Sequence, residues 1–356
     1  MNTISGPPLA AGVHGFRVKP APRNDTNSGH RLMSFRILRL GLALLWLANT
    51  TVQAEPAIRV GSLRYGTLSW ELDVIAQHGL SGKHGVQINT LELAGAPAGQ
   101  LALQAGRIDL IVSDWLWVSR QRADGADLTF VPFSNAIGSL IVPIGSTIRD
   151  IPDLAGRRLG IAGSAIDKSW LLLRLYARSR FDFDIDANVD KSFGAPPLLS
   201  EELEAGRLDA VLTYWPFAAK LEARGMRPVL GVGDALAALG VPRDLPLTGY
   251  VFFAGWAAEN RAALDGFLAA SREAKTILDT SDEEWQRIAP LTGAQDKQEL
   301  TKLRDAYRQG IPRHWTAEDT NAAARLYRLL AEIGGPALVG PGRDLAPGTF
   351  LADVKF

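Results

Sequence analysis

The strongest constraint in the sequence is a repeat. Residues 103–117 read L-Q-A-G-R-I-D-L-I-V-S-D-W-L-W, and residues 203–217 read L-E-A-G-R-L-D-A-V-L-T-Y-W-P-F. Leu, Ala, Gly, Arg, Asp and Trp recur at matching places, and most other pairs are conservative. Each copy reads as a helix end, a glycine stop, an Arg-x-Asp turn, a buried strand, and a tryptophan where the strand runs out. A spacing of about 100 residues is too long for a solenoid. It suits two similar α/β lobes, each sending the same strand end to a common place. Ligands of open parallel sheets bind beyond the carboxyl ends of the strands. Asp114-Trp115 and Tyr214-Trp215 are therefore expected to face one another across a cleft. A chance likeness between two helix–strand units is the competing explanation.

The intervening chain supports alternation. Ala57–Leu63 reads as a first strand, and residues 68–79 carry helical periodicity ending at Gly79. Residues 85–93 alternate as a second strand. A helix over 98–105, a short apolar strand over 108–112, strands over 129–133 and 158–162, and a helix over 168–178 continue the pattern. Strands alternating with helices imply mostly parallel sheets covered by helices.

The first 54 residues differ from the rest. From Met33 a short basic segment precedes L-G-L-A-L-L-W-L-A and the small residues Val52 and Ala54. These are the three parts of a secretory signal, with cleavage expected after Ala54. The apolar run is too short to span a hydrocarbon core of ~30 Å. Residues 1–32, rich in Pro, Gly and Asn, read as disordered or as sequence upstream of a true start at Met33. Residues 1–54 hold six basic side chains against the single acid Asp25. The balanced totals of 38 and 38 thus leave 55–356 with 32 basic and 37 acidic residues. A mildly acidic body has no electrostatic footprint for nucleic acid. The chain has no cysteine, which excludes disulfides, thiolate metal sites and a lipidated N-terminal cysteine. His78, His84 and His314 lack ligand spacing, so no metal and no cofactor are expected.

Three phrases occur in order: A-L-Q-A-G-R-I-D-L at 102–110, I-R-D-I-P-D-L-A-G-R-R-L-G-I-A-G-S at 148–164, and the second repeat at 203–217. Together they resemble the sulfonate/nitrate/taurine and thiamine-precursor binding family of ABC-transporter periplasmic solute-binding proteins, over roughly residues 57–280. The resemblance implies an α/β, two-lobed type II periplasmic-binding-protein fold: two mostly parallel sheets flanked by helices and joined by two crossover strands, near 135–142 and 248–254. Lobe 1 would comprise 55–138 and 248–356, and lobe 2 would comprise 139–247. C-terminal helices such as 265–278 and 319–330 would pack back on lobe 1. The implied partners are a small-molecule ligand and an inner-membrane ABC permease, and the implied protein is a monomer in the periplasm. Two departures matter. The absent lipidation cysteine points to a freely soluble periplasmic protein, and the absent Cys- and His-rich iron motif argues against the enzyme activity of the pyrimidine-synthesising relatives. A periplasmic sensor or ligand-delivery protein fits the same fold. A dehydratase-like enzyme on it would need a positioned acid or base.

The candidate ligand residues follow from this frame. Gly163 to Trp170 links a strand to a helix, and a helix N-terminus offers unpaired N–H groups to an anion. Ser164 or Ser169 would add a hydroxyl and Lys168 a charge, although Ser164 or Asp167 equally fits a plain N-cap. Tyr65, Thr67 and Trp70 occupy the corresponding loop after the first strand, unless Trp70 packs as core. Asp114 would favour a ligand bearing a positive or hydrogen-bond-donating group. Trp115, Tyr214 and Trp215 would supply aromatic faces, unless the tryptophans pack against helices. Asn135 and Tyr250 lie on the expected hinge. A mouth this rich in aromatic residues suggests a small organic ligand (a sulfonate, amine or pyrimidine-like molecule) rather than a bare inorganic anion, captured by hinge closure.

Overall fold

The computed structural model of the protein describes residues 55–64 and 66–352. The expected signal segment and Tyr65 lie outside them. Among the described residues, ten strands form two five-stranded sheets. The first half contains β1 (Ala57–Leu63), α1 (Leu68–Gln77), α2 (Leu80–Lys83), β2 (Gln87–Leu93), α3 (Ala96–Gln104), β3 (Leu110–Asp114), α4 (Trp115–Ala123) and β4 (Leu128–Ser134). Then come β5 (Gly138–Val142), β6 (Arg158–Ala162), α5 (Lys168–Phe181), α6 (Ile185–Asn188), β7 (Asp190–Gly194), α7 (Pro196–Glu204), β8 (Ala210–Tyr214), α8 (Trp215–Ala223), β9 (Arg227–Gly231) and α9 (Val232–Ala238). The chain ends with β10 (Thr248–Phe253), α10 (Ala254–Glu259), α11 (Arg261–Thr280), α12 (Asp282–Thr292), α13 (Lys297–Gln309) and α14 (Ala317–Val339).

The sheet orders are β2-β1-β3-β10-β4 and β7-β6-β8-β5-β9. In the first, β2, β1 and β3 are parallel, and β10 runs antiparallel between β3 and β4. In the second, β7, β6 and β8 are parallel, and β5 runs antiparallel between β8 and β9. Each antiparallel strand is reached by a crossing from the other sheet, through residues 135–137 and 239–247. This is the two-lobed type II periplasmic-binding fold, and both crossover strands lie where the sequence resemblance places them.

The repeat is also a repeat in space. Asp109 accepts hydrogen bonds from the Arg59 backbone N–H at 2.8 Å and from Arg59 Nε at 3.0 Å. Asp209 accepts the same pair from Arg158, at 2.8 and 3.1 Å. Each arginine also donates to the carbonyl of the glycine three residues before that aspartate, Gly106 at 2.8 Å and Gly206 at 3.0 Å. The two glycines turn the chain with φ of 66° and 70°, a conformation other residues adopt at a cost. The Arg-x-Asp turn therefore fastens the third parallel strand of each sheet to the first. Close packing is matched as well. A Cβ on Gly61 would lie 2.6 Å from Ile108, and one on Gly160 would lie 2.6 Å from Leu208.

The C-terminal helices follow expectation only in part. Helix α11 packs on α1, α2 and β1, as expected for the first lobe. Helix α14 packs against α4 of the first sheet and equally against α5 of the second, and α13 packs on α8. Apolar residues of both halves, among them Trp115, Leu140, Leu171 and Leu330, share one buried cluster. The cause is the apolar periodicity of α14, whose Ala323, Leu326, Tyr327 and Leu330 are all buried.

Candidate ligand-binding site

The carboxyl ends of the parallel strands carry the candidate residues. Asp114 closes β3 and caps α4, its Oδ1 accepting from the Trp117 N–H at 2.9 Å. Tyr214 closes β8, and its hydroxyl donates to Asp167 Oδ2 at 3.0 Å. Asp167 caps α5 through its other oxygen, which accepts from the Ser169 N–H at 2.8 Å. The capping alternative therefore holds for Asp167, while Ser164 is exposed and its carbonyl accepts from the Asp167 N–H at 2.9 Å. Gly163 makes the Tyr214–Asp167 contact possible. Its φ is +97°, and a Cβ there would stand 2.7 Å from the tyrosine oxygen.

The electrostatics of this corner are negative from both sheets. Burial pushes the Tyr214 hydroxyl far above the ordinary tyrosine range, and Asp167 and then Asp114 push it further. Lys168, half-buried at the start of α5, forms no ion pair with the described residues. Among the described residues, the buried Oγ of Ser169 has no partner, nor has the Oδ1 of Asn135 at the first crossing.

Two aromatic residues meet from opposite sheets. Trp70 of α1 and Trp215 at the start of α8 pack edge to face with ring centroids 5.9 Å apart. The core alternative holds for Trp70, which is buried in an apolar cluster and also forms a contact between the halves. Thr67 precedes α1, half-buried, without a side-chain cap bond.

Two candidates belong elsewhere. Trp115 is fully buried, its Nε1 donates to the Pro246 carbonyl at 3.0 Å, and its ring lies against Tyr327 and Phe350. The C-terminal segment covers it, so it is a core residue rather than a face of the cleft. Tyr250 is likewise turned inward by the alternation of β10. Its hydroxyl donates to Glu71 Oε2 at 3.0 Å and lies 2.6 Å from Ser271 Oγ.

Glu71 anchors a buried network that sequence reasoning missed. Its carboxylate also accepts from Lys275 Nζ at 2.6 Å, from Ser271 at 3.0 Å and from the Tyr307 hydroxyl at 2.8 Å. Burial lowers the affinity of Lys275 for its proton, against the opposing pull of Glu71. Tyr307 and Trp285 complete the aromatic cluster around Trp70, with centroids 6.1 and 5.7 Å from it. Neither carries a local signal, because each sits in an ordinary amphipathic helix. A recess of about 200 Å³ opens beside this network, between β4, α11 and residues 311–313. It lies against the α11 side of the first sheet and not at the strand ends. Among the described residues, no group of three or more His, Asp or Glu side chains is placed to hold a metal.

A family model described as NMT1/THI5 like matches residues 75–279, more than half of the chain. The chain belongs to the NMT1/THI5-like family. Among solved structures, this NMT1/THI5-like chain is similar to the periplasmic aliphatic sulphonate binding protein SsuA from Escherichia coli. The identity is 20%, covering 85% of this chain and 94% of that one, with a TM-score of 0.68. It is also similar to the alkanesulfonate-binding protein SsuA from Xanthomonas axonopodis pv. citri bound to MOPS, at 18% identity, 83% and 98% coverage and a TM-score of 0.63. These likenesses establish the fold. No curated protein sequence matches the chain.

Proposed function

We propose that this protein is the ligand-capturing component of an ABC importer, exported to the periplasm and released there by cleavage after Ala54. Lobe 1 (55–138 and 248–356) and lobe 2 (139–247) close on a small organic molecule and present it to an inner-membrane permease. Family membership and the fold support the capture role. No helix among the described residues is long and apolar enough to cross a membrane, which is consistent with that reading.

The observation that carries the choice of ligand is the acidic, aromatic character of the corner where Asp114, Asp167 and Tyr214 gather. A carboxylate in such a place favours a positive or hydrogen-bond-donating group, and Trp70 and Trp215 suit a flat or cationic one. The MOPS bound to the Xanthomonas relative carries a sulfonate, and here the helix α5 N-terminus with Lys168 is the counterpart for an anionic end. The ligand proposed is therefore an amine, or a zwitterion whose cationic part faces Asp114 and Asp167. Closure follows because contacts from the second lobe favour the shut form.

The test is a thermal-shift screen of amines, pyrimidines, sulfonates and inorganic anions, beside mass spectrometry of small molecules carried by protein recovered from the periplasm. A matching ligand at a hundredfold over its Kd should stabilise by ~2.7 kcal/mol. Stabilisation by inorganic anions alone would overturn the choice of ligand. Asp167→Asn should weaken an amine tenfold or more, and an unchanged Kd would remove that carboxylate from the site.

A further inference from the structure

The segment after residue 279 lies beyond the matched family region, and its helices α12 and α13 touch α1 of the first half and α8 of the second. Helix α12 is fastened to α1. Arg287 pairs with Asp73 at 2.5 Å, and Glu284 pairs with His78 at 3.2 Å. Helix α13 reaches the same ground through the Tyr307–Glu71 bond. On its other flank the pair holds α8. Lys220 Nζ donates to the carbonyls of Thr292 and Gly293 at 2.8 and 3.0 Å, and Arg224 Nε donates to Glu299 Oε1 at 2.7 Å. Glu299 is only 2% exposed at its side chain. A buried carboxylate of this kind needs its partner. Ala219 of α8 is buried with Trp70, Trp285, Leu303 and Tyr307 in one apolar cluster. The end of α13 then lies on the first crossing, where the Gly310 carbonyl accepts from the Asn135 N–H at 2.8 Å.

We infer that α12 and α13 form a strap that holds α8 against α1 and so sets the resting separation of the two strand-end clusters, with Arg224 and Tyr307 as its positioning residues. The inference rests on the two-lobed capture reading. Helix α8 begins at Trp215, so any change in its grip moves Trp215 relative to Trp70. The contacts at Lys220 and Arg224 are polar and few. Without them α8 is free to shift against α12 and α13.

The absence of cysteine from the sequence makes distance measurement direct. Spin labels on Leu101→Cys in α3 and Leu198→Cys in α7, both exposed leucines, report the separation of the sheets by pulsed electron resonance in the full chain. Without ligand, the otherwise unmodified chain should give one narrow distance. Lys220→Met with Arg224→Met should broaden it and shift its mean by several ångström. Arg207→Met breaks an ion pair confined to the second sheet's side (Glu202, 2.6 Å) and should leave the distance unchanged. Should the double variant fail to fold by circular dichroism, Lys220→Met alone is read by the same criterion. A folded variant with the narrow distance intact overturns the strap, as does a broad distance in the unmodified chain. The capture reading fails separately, if no compound in the ligand screen stabilises the protein.

Discussion

The two copies of the repeat share a strand clasp and differ in the fate of their tryptophan. In both, an aspartate fastens the start of its strand to an arginine of the neighbouring first strand, and a glycine turns the chain before it. In both, the tryptophan follows the strand directly. Yet Trp115 is sealed under Tyr327 and Phe350, whereas Trp215 is half-buried against Trp70 from the other sheet. The comparison separates what a motif encodes from what its surroundings assign. The clasp depends only on partners within its own sheet. The role of the tryptophan depends on which part of a distant segment covers it.

Four measurements would break or sharpen this contrast. The largest effect is expected at the tryptophans. Trp115→Ala should lower unfolding stability by ~3–5 kcal/mol, as for a large side chain removed from a close-packed core. Trp215→Ala should cost less than half of that and act mainly on ligand binding. Equal losses in urea unfolding would erase the distinction.

The clasp should be similar in kind but unequal in size. Asp109 has a side chain 6% exposed against 29% for Asp209. Asp109→Ala should cost about 1.5–3 kcal/mol, in the range for hydrogen bonds to charged groups, and Asp209→Ala should cost distinctly less. The reverse order in denaturant titrations would mean that burial does not govern the clasp.

The matched glycines test the likeness at the level of packing. Gly61→Ala places a methyl within 3 Å of Ile108, Leu93 and Ile111 and should cost ~1–3 kcal/mol through overpacking, whereas Gly160→Ala meets only the movable Leu208 Cδ1 that closely and should cost less. A neutral result at one of them would show that one sheet yields where the other does not.

The smallest effect is one of pH. Hydrogen bonding from Arg158 holds the Asp209 carboxyl below the ordinary carboxylate range. Its contribution is therefore present above that range and is lost as pH falls through the lowered value. The stability gap between the unmodified chain and Asp209→Asn should narrow on going from about pH 6 to about pH 3. A constant gap would show that the ionised form gives no advantage.

Much of this fold is legible in the sequence because its determinants are local or repeated. Strands β1 and β6 have the expected bounds, and α5 begins at Lys168 as expected. The Asp167 cap is legible as a strand-to-helix junction. The Tyr214–Asp167 bond is less so, because it requires the glycine at 163 to bring two loops together. The Glu71 network was beyond reach. Its donors come from residues 250, 271, 275 and 307, and nothing in the spacing of those residues announces a shared carboxylate.

By itself the sequence determined two like α/β units, the succession of strands and helices along the chain, and a glycine stop and Arg-x-Asp turn before each repeated strand. It could do so because period, glycine placement and a paired aspartate act over a few residues. Only the tertiary structure decided that α14 packs on both halves, that Trp115 is core, and that α13 grips α8. Those outcomes turn on which apolar faces meet after the chain has folded back on itself, and an amphipathic helix carries a face to bury without naming the surface that will cover it.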